Sequence, residues 1–441
     1  MISGDVKCDS VAGRGVVYVA SRLIADVGRV FAPGAVAVSD GKALAVGKKS
    51  DVLRFAPASF AVREFPGALI LPGLVNCHTH LQIPRELGGE GDAARRDDFI
   101  GWLLQVIRWR INCDPSIFSE IFRRGAQEAL SFGVAATGEI AGPDISVYAS
   151  CPLRARVFAE GIGFSEDAAL TRQEAVRETV MRLEKIPAVN PLVVSGISPH
   201  ALYSVGEKLL RGLAAFSGAG LLPVCMHLAE SRSEIEFLER GEGEIAARLY
   251  AGIGQDVSWF KGTGRSIPAY LQETGLLRNG LLLVHNVHLS TGEIDALHEG
   301  GARFVLCPRS NKAHGNGAPD VTHFVDSGIP FAVGTDSLGS VDDLNIWEEI
   351  RAIRSLYKGK LKDIELCEAL MRAATVNGAA ALSLPSGALC KDGAADFVVL
   401  DDPGGDDAEI CRRLVERTGR LNVRMTVVAG QVAHEDNGAK A

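Results

Sequence analysis

The residues of this chain that could bind a metal or carry a proton lie at the ends of short apolar segments. His78 and His80 stand two positions apart after one such segment, and on an extended strand this spacing points both imidazoles to the same side. Two imidazoles placed in this way can bind one metal ion. His227 follows another apolar run and precedes Glu230 by three positions. We therefore predict His227 as a further ligand and Glu230 as a functional residue beside it.

Three further polar residues stand at the ends of apolar runs: His200, His285 and Asp336. Taken singly, each has an ordinary interpretation. His200 could be a structural hydrogen-bond partner, His285 a core histidine and Asp336 a helix cap. Their shared position at the end of a run makes them candidates for the same site. The other histidines lie in loop or helix contexts and are expected to be ordinary surface or supporting residues: His288, His298, His314, His323 and His434.

The centre of the chain, from 66 to 385, alternates short apolar segments with helical patterns. The helical period is clear at 117–130, 343–357 and 363–374. Continuous apolar strands separated by helices predict a parallel sheet. Eight such repeats predict an α/β fold, a (β/α)8 TIM barrel with insertions. A doubly wound open sheet is the alternative, but no GxGxxG follows a strand. The strand candidates are 68–71, 134–137, 156–159, 193–197, 223–226, 281–284, 303–306 and 331–333.

A barrel would bring the candidate residues together. The carboxyl ends of all its strands open on one face, and that face carries the active site. Residues far apart in the chain, from His78 to Asp336, would therefore meet there.

The two ends of the chain differ from the centre and predict a second, smaller domain. Short apolar segments broken by Gly, Asp and Pro recur at 15–19, 35–38, 395–400 and 424–429, which is typical of strands and turns. We therefore expect residues 1–65 and 386–441 to form one small β-sandwich from both termini, with 66–385 as the catalytic barrel.

Composition favours an ordinary globular protein. The 441 residues are 47% hydrophobic and 23% charged, with a formal net charge of −8. This acidic balance, without a Lys/Arg run, disfavours nucleic acid or an anionic membrane as the main partner. No apolar run approaches the roughly 18 residues that a membrane span needs, and the first residues lack a signal-peptide pattern. Nine cysteines without a CxxC pair indicate a reducing cytoplasm.

The motifs together resemble the amidohydrolase superfamily, over nearly the whole chain up to residue 400. They are LPGLVNCHTH at 71–80, HLAE at 227–230, His285 and GTD at 334–336. The resemblance implies the terminal β-sandwich, His285 in contact with the water that the metal activates, and Glu230 as a proton shuttle. It also implies a set of ligands for the metal: His78, His80, His227 and Asp336.

The resemblance further implies one metal ion. Members with two metals bridge them with a modified lysine at the end of the fourth barrel strand, but here that strand ends SGISPH at 195–200. Three histidines and one aspartate suit either Zn²⁺ or Fe²⁺. In the implied reaction, Asp336 and His285 orient the water, and Glu230 delivers a proton to a ring nitrogen of the substrate.

Finer motifs point to the substrate. SPHALYS at 198–204 resembles S-adenosylhomocysteine/methylthioadenosine deaminases, in which the histidine, here His200, faces the nucleoside. Segments at 99–108, 307–311 and 334–340 resemble 6-amino-6-deoxyfutalosine deaminases, which belong to menaquinone synthesis. Aminofutalosine is therefore the first expectation, with S-adenosylhomocysteine, methylthioadenosine or adenosine as alternatives. The runner-up is a guanine, cytosine or triazine aminohydrolase, and a non-catalytic metal-binding barrel represents a different class.

Candidate substrate-binding residues follow from the chemistry of such a nucleoside. An acidic 5′ group needs a cation, and Arg309 is the first candidate, with Arg85, Arg154 and Arg156 as second choices. Ser310 and Asn311 are expected to bind ribose or base, and Trp102 or Phe99 to stack on the base. Gln82 stands where the futalosine-type enzymes tend to have a carboxylate. By resemblance alone, a homo-oligomer is also expected.

Overall fold

The computed structural model describes residues 15–88 and 98–436, and three sheets organise this part of the chain. The strands are β1 Val16–Asp26, β2 Arg29–Phe31, β3 Gly34–Ser39, β4 Lys42–Lys48, β5 Ala61–Pro72, β6 Leu74–Thr79, β7 Val134–Ile140, β8 Arg154–Gly161, β9 Val193–Pro199, β10 Cys225–Leu228, β11 Leu282–His285, β12 Arg303–Leu306, β13 Phe331–Val333, β14 Gly393–Ala394, β15 Phe397–Asp401, β16 Val423–Val428 and β17 Gln431–Glu435.

Helices follow most of the central strands, as the periodicity predicts. The predicted helices at 117–130, 343–357 and 363–374 are confirmed, although the second begins only at Ile346, because Asn345 caps it by accepting from Trp347 N. A π-helix covers Ile245–Tyr250. The α-helices are Lys49–Phe55, Phe99–Asn112, Ile117–Ser131, Ala169–Leu183, Glu207–Gly220, Arg232–Arg240, Ile267–Glu273, Thr291–Glu299, Pro308–Ala313, Val321–Asp326, Ile346–Leu356, Asp363–Ala373, Val376–Leu382 and Ile410–Arg417. None of the helices in the described ranges is long and apolar enough to cross a membrane.

The eight central strands close into a barrel. Strands β6 to β9 pair in parallel in sequence order, and β10 to β13 do the same. A parallel bridge between Ile197 and Val224 joins the two halves, and a second, between Thr79 and Asp336, closes the ring. The predicted (β/α)8 barrel is therefore confirmed.

One strand assignment was wrong. The candidate at 68–71 lies in β5, which pairs with β1 and β15 outside the barrel, and the first barrel strand is β6. Only Gly73 separates β5 from β6, and a side chain there would collide with Ala135, since its Cβ would stand 2.3 Å from that of Ala135. Because both segments are apolar throughout, the hydrophobic pattern reads as one run. The other seven candidates correspond to β7 to β13.

Both ends of the chain contribute to the remaining sheet. Its nine strands run in the order β14-β4-β3-β1-β5-β15-β16-β17, with β2 paired to β1. One buried cluster joins side chains from the two ends, among them Tyr18, Val36, Phe397 and Val427. The division at residues 65 and 386 stays a prediction, and β5 runs across the first of these positions.

The barrel interior is packed, which places the site at its open end. Alternate residues of each strand point inward, and they form one apolar cluster that includes Cys77, Phe158 and Cys225. Gly196 faces Phe158, because a Cβ at Gly196 would lie 2.6 Å from the Phe158 ring. The polar residues beyond this layer, at the carboxyl ends of the strands, line the mouth of the barrel.

Candidate functional site

Three histidines from two barrel strands meet at the mouth. His78 and His80 lie at and just beyond the end of β6, and His227 lies in β10. Their ring nitrogens lie within 4.8 Å of one another, and Nε2 of His80 is 3.3 Å from Nε2 of His227. All three side chains are buried. This group could hold a metal ion, as the sequence predicts.

The hydrogen bonding of the cluster fits a metal. Both ring nitrogens of His78 and Nδ1 of His80 are buried without a hydrogen-bond partner. His227 donates from Nδ1 to the carbonyl of His200 at 2.8 Å, which leaves Nε2 with its lone pair toward the other two rings. Buried polar atoms normally have partners, and a cation that accepts the lone pair of one nitrogen of each ring would supply the missing partner of that nitrogen.

Asp336 lies against the same cluster. Its Oδ1 is 3.6 Å from Nε2 of both His78 and His80, while its Oδ2 accepts from Ser310 Oγ at 2.7 Å and from Ser340 Oγ at 3.2 Å. Two serine hydroxyls therefore fix one oxygen and leave the other directed at the histidines. This is the position that the predicted fourth ligand requires.

Glu230 is buried beside these residues. Its Oε2 lies 3.7 Å from Nε2 of His285, and its Oε1 accepts from Asn316 Nδ2 at 3.3 Å. Burial, followed by the negative charges of Asp336 and Glu234, holds the pKa of Glu230 well above its ordinary value. A raised pKa brings this carboxyl closer to the range in which one group can both take and give a proton.

His285 is held as a neutral imidazole. Its Nδ1 bonds to Asn311 Oδ1 at 2.8 Å, so Nδ1 carries the proton and Nε2 faces Glu230. Burial lowers the pKa of His285 to about 4, although the charge of Asp336 opposes this. The ring can therefore accept a hydrogen bond at the centre of the site.

Several site residues, or their neighbours, have a left-handed backbone conformation with positive φ, which sets the direction of the side chains. His285 has φ +76°, Asp336 has φ +66° and Ala229, next to Glu230, has φ +50°. Non-glycine residues adopt this conformation uncommonly, and such strain concentrates at functional sites. A turn into this region at the end of a strand directs the side chain over the barrel mouth, which continued β structure would not do.

His200 joins the site from the neighbouring strand. It follows β9, and its ring lies 4.8 Å from that of His227 between centroids. Its Nδ1 bonds to Ser204 Oγ at 2.6 Å, which fixes the ring. The predicted contact of His200 with a nucleoside stays a prediction.

Ser310 and Asn311, which we predict to bind ribose or base, each contact another residue of the site. They lie in the helix Pro308–Ala313, and their side-chain oxygens already bind Asp336 and His285. They therefore position those two residues, while Asn311 Nδ2 is buried without a partner among the described residues. Their contact with ribose or base stays a prediction.

The four predicted arginines also have partners within the chain. Arg309 contacts Asp343 Oδ1 at 2.8 Å and Glu349 Oε1 at 3.5 Å. Arg85 pairs with Glu128, and Arg154 bonds to both Asp396 oxygens, at 2.6 and 3.0 Å. Arg156 bonds to backbone carbonyls, including that of Ser195. All four guanidinium groups therefore contact groups of the chain itself, and the binding of a substrate anion by Arg309 or by the other three stays a prediction.

Trp102 lies at the edge of the mouth. Its Nε1 donates to the Gly339 carbonyl at 3.1 Å, and its ring lies 4.4 Å from that of His314. The Phe99 ring lies 5.7 Å from the same histidine and 6.4 Å from the Trp102 ring, between centroids. His314 is therefore a buried neighbour of the site rather than a surface residue, and stacking of Trp102 on a base stays a prediction.

Gln82 joins two loops instead of facing the histidines. Its Nε2 donates to the Asp144 carbonyl and its Oε1 accepts from Asp144 N, both at 3.0 Å. The carboxylate nearest to the loop of β6 is Glu139, which accepts from Leu81 N and from Thr79 Oγ1 at 2.6 Å. Glu139 therefore holds the backbone that presents His78 and His80.

The sequence reasoning missed Glu139, Glu160 and Asn316. Glu139 and Glu160 lie near the ends of β7 and β8, in the same position that singled out the histidines, so the rule applied to histidine would have found them. Asn316 has no such signal, because it reaches Glu230 from the loop that follows the helix Pro308–Ala313.

Comparison with known proteins agrees with this geometry. Residues 69–433 match the model of the amidohydrolase family. The chain is 30% identical to 5-methylthioadenosine/S-adenosylhomocysteine deaminase of Nitratidesulfovibrio vulgaris, over 92% of this chain and 89% of that protein. It is 28% identical to aminodeoxyfutalosine deaminase of Deinococcus radiodurans, over 76% of this chain and 79% of that protein.

A solved structure shares the fold. Aminofutalosine deaminase of Helicobacter pylori, in complex with methylthio-coformycin, superposes with a TM-score of 0.80 at 21% identity, over 94% of this chain and 99% of that one. Three observations therefore indicate the same family: the barrel, the histidine group at its mouth and the family match over most of the chain. The chain belongs to the amidohydrolase family and is a hydrolase that acts on carbon–nitrogen bonds.

Proposed function

We propose that the protein is a metal-dependent hydrolytic deaminase that converts a 6-aminopurine nucleoside to its 6-oxo product and ammonia. One observation carries the proposal: the buried carboxyl of Glu230 faces His285 at 3.7 Å, beside a histidine group that suits a metal. A carboxyl that can both take and give a proton at such a site is what hydrolysis of a ring amine requires. The names of the relatives support this reaction.

His78, His80, His227 and Asp336 would hold the metal, which we take to be a single Zn²⁺ or Fe²⁺. When bound, the ion supplies a Lewis acid that makes water acidic enough to serve as a nucleophile near neutral pH. The inward positions of β9 that face this region are Gly196 and Ser198. Neither can bridge two metals, which supports one ion.

The protein's own groups then move the protons. Asp336 and the neutral His285 hold the attacking water by hydrogen bonds. Glu230 takes a proton from this water and delivers it to the ring nitrogen next to the amine-bearing carbon, which makes that carbon more electrophilic. Oxygen adds to the carbon, the second proton of the water passes to the amine, and the carbon–nitrogen bond breaks to release ammonia. The pKa of Glu230, raised by burial, suits this exchange of roles.

Aminofutalosine is the substrate that we favour, which would place the enzyme in menaquinone synthesis. The relative from Deinococcus radiodurans supports this choice, and the relative from Nitratidesulfovibrio vulgaris supports the alternative, S-adenosylhomocysteine or methylthioadenosine. We place the reaction in the cytoplasm, since the eight cysteines in the described ranges are free thiols.

A comparative ultraviolet assay tests the proposal. Zinc-loaded and iron-loaded protein is offered aminofutalosine, S-adenosylhomocysteine, methylthioadenosine and adenosine, and conversion of the adenine chromophore to hypoxanthine is followed. We expect the highest kcat/KM on aminofutalosine. Equal rates on all four nucleosides would indicate a deaminase of broad specificity. If none of the four is converted, the assignment to nucleosides is overturned.

A further inference from the structure

Arg110 lies on the inner face of the helix that borders the barrel mouth. In Phe99–Asn112, residues Phe99, Leu103, Val106 and Arg110 follow one another at spacings of three and four, so they share one helix face. Phe99 and Val106 are buried, and Leu103 packs against a buried cluster. Arg110 continues this inward face and carries the only cationic side chain on it.

Glu160 meets Arg110 from the barrel. Phe158 of β8 points into the packed interior, and Glu160 is the next inward residue of the same strand, toward the open end. Its Oε2 lies 3.6 Å from Nη1 of Arg110. The pair therefore lies at the open end of the barrel, where the histidine group also lies.

The guanidinium of Arg110 retains unused hydrogen-bonding capacity. Within the described residues, its Nε is buried without a hydrogen-bond partner, and its contact with the Glu160 carboxylate is long. By contrast, Arg154 uses two nitrogens on Asp396, at 2.6 and 3.0 Å. A buried donor of this kind is costly unless a ligand satisfies it.

The charge of Arg110 lies at the same end of the barrel as the histidine group, because its partner Glu160 lies at the carboxyl end of β8. A substrate that carries a negative charge would be attracted to the same position.

We propose that Arg110, held by Glu160, binds a carboxylate on the 5′ substituent of the nucleoside and so determines substrate specificity. This proposal rests on the proposed deaminase function. Guanidinium groups bind carboxylates side by side through Nε and one terminal nitrogen, and Nε of Arg110 has no partner among the described residues. The arginines that the sequence singled out are already paired within the chain, whereas Arg110 keeps a free donor.

The test compares two ligands that differ in this charge. Aminofutalosine carries a carboxylate on its 5′ substituent, and methylthioadenosine is neutral there. We measure kcat/KM, and separately the dissociation constants of the deaminated products, for the metal-loaded wild type and for Arg110→Met. Loss of a charge-assisted bond of about 1.5–3 kcal/mol predicts a fall of roughly 10- to 100-fold for the carboxylate ligand. For the neutral ligand we expect a change below about 3-fold.

Two further variants keep the result interpretable. Arg108→Met removes the same charge from the exposed side of the same helix and should change neither ligand. Because Arg110→Met leaves Glu160 unpaired, the double variant Arg110→Met/Glu160→Gln is measured as well, and it should show the same selective loss. An equal fall for both ligands, or no fall, would overturn the proposal.

Binding separates this proposal from the proposed function. If the wild type deaminates neither nucleoside but binds the carboxylate product more tightly, and Arg110→Met loses that preference, the deaminase function fails and the role of Arg110 stands. If the wild type deaminates both but shows no preference for the carboxylate ligand, the role of Arg110 fails and the function stands.

Discussion

The carboxylate of Glu230 faces the imidazole of His285 across 3.7 Å, from Oε2 to Nε2. Each group has a separate support: Asn316 donates to Glu230, and Asn311 accepts from His285. Because both supports come from the same stretch after β12, that stretch sets the distance between the two groups. The chain that follows β12 therefore holds both members of the pair in place at the barrel mouth.

Glu230→Gln should retain the metal and lose activity. The substitution keeps the size and the contact with Asn316 but removes the group that takes and gives a proton. General acid–base catalysis contributes roughly 10²- to 10⁴-fold, so we expect kcat to fall by about that factor. Glu239→Gln, on the exposed surface of the following helix, is the matched control. Metal content and kcat are measured together, and unchanged turnover of Glu230→Gln would refute the proton-shuttle role.

Removal of the metal should lower thermal stability. A ligand that binds only the folded state stabilises it by about 2.7 kcal/mol at a hundred times its dissociation constant, so chelation should lower the Tm. In His80→Ala the chelator should have little effect, because the histidine group is broken. His298→Ala, an exposed helical histidine, should respond like the wild type. A chelator that shifts wild type and His80→Ala equally would contradict the assigned site.

Ser310→Ala should weaken metal binding. Ser310 donates to Asp336 Oδ2 at 2.7 Å, whereas Ser340 reaches the same oxygen at 3.2 Å. Loss of a hydrogen bond that orients a metal ligand typically lowers affinity or activity by about 10- to 100-fold. We expect the larger effect for Ser310→Ala and a smaller one for Ser340→Ala, measured as zinc dissociation constants by competition with a chelating dye. The reverse order would show that Ser310 does not orient Asp336.

Gln82→Glu should destabilise the protein. Gln82 both donates to and accepts from the backbone of Asp144, and a carboxylate would instead face the Asp144 carbonyl without a proton between them. The loss of such a buried bond costs about 1–3 kcal/mol of unfolding free energy, measurable by denaturant titration. Gln105→Glu, on an exposed position of the helix Phe99–Asn112, serves as the control. Unchanged stability with raised activity would instead indicate that a carboxylate here contacts the substrate.

Glu349 should make stability depend on pH. Burial raises the pKa of Glu349 to about 8, against the opposing charge of Arg309. The folded state therefore keeps a proton that the unfolded chain has lost, from the ordinary carboxyl pKa of 4.5 up to about 8. Stability must fall as pH rises through this window.

Glu349→Gln resembles the protonated carboxyl and should remove this dependence. The variant should match the wild type at the acidic end of the window and become progressively more stable relative to it toward the alkaline end. Denaturant midpoints measured at several pH values check this. A difference between variant and wild type that stays constant with pH would contradict the raised pKa.

The sequence alone was enough to predict the barrel and the main residues of the candidate site. Apolar runs at regular intervals correctly predicted seven of the eight barrel strands, because a strand buried on both faces must be apolar throughout. The position of His78, His227, His285 and Asp336 at the ends of such runs was enough to bring them together, since parallel strands of a barrel share one open end.

Only the tertiary structure decided which polar groups are already in use. A guanidinium or amide has the same appearance in sequence whether it faces a substrate or a neighbour, and its partners lie far away along the chain. Arg309 therefore looked available until Asp343 and Glu349 were placed against it, and Arg110 looked ordinary until Glu160 met it at the rim. The boundary between β5 and β6 was hidden for the same reason, because hydrogen-bond pairing, and not hydrophobicity, assigns them to different sheets.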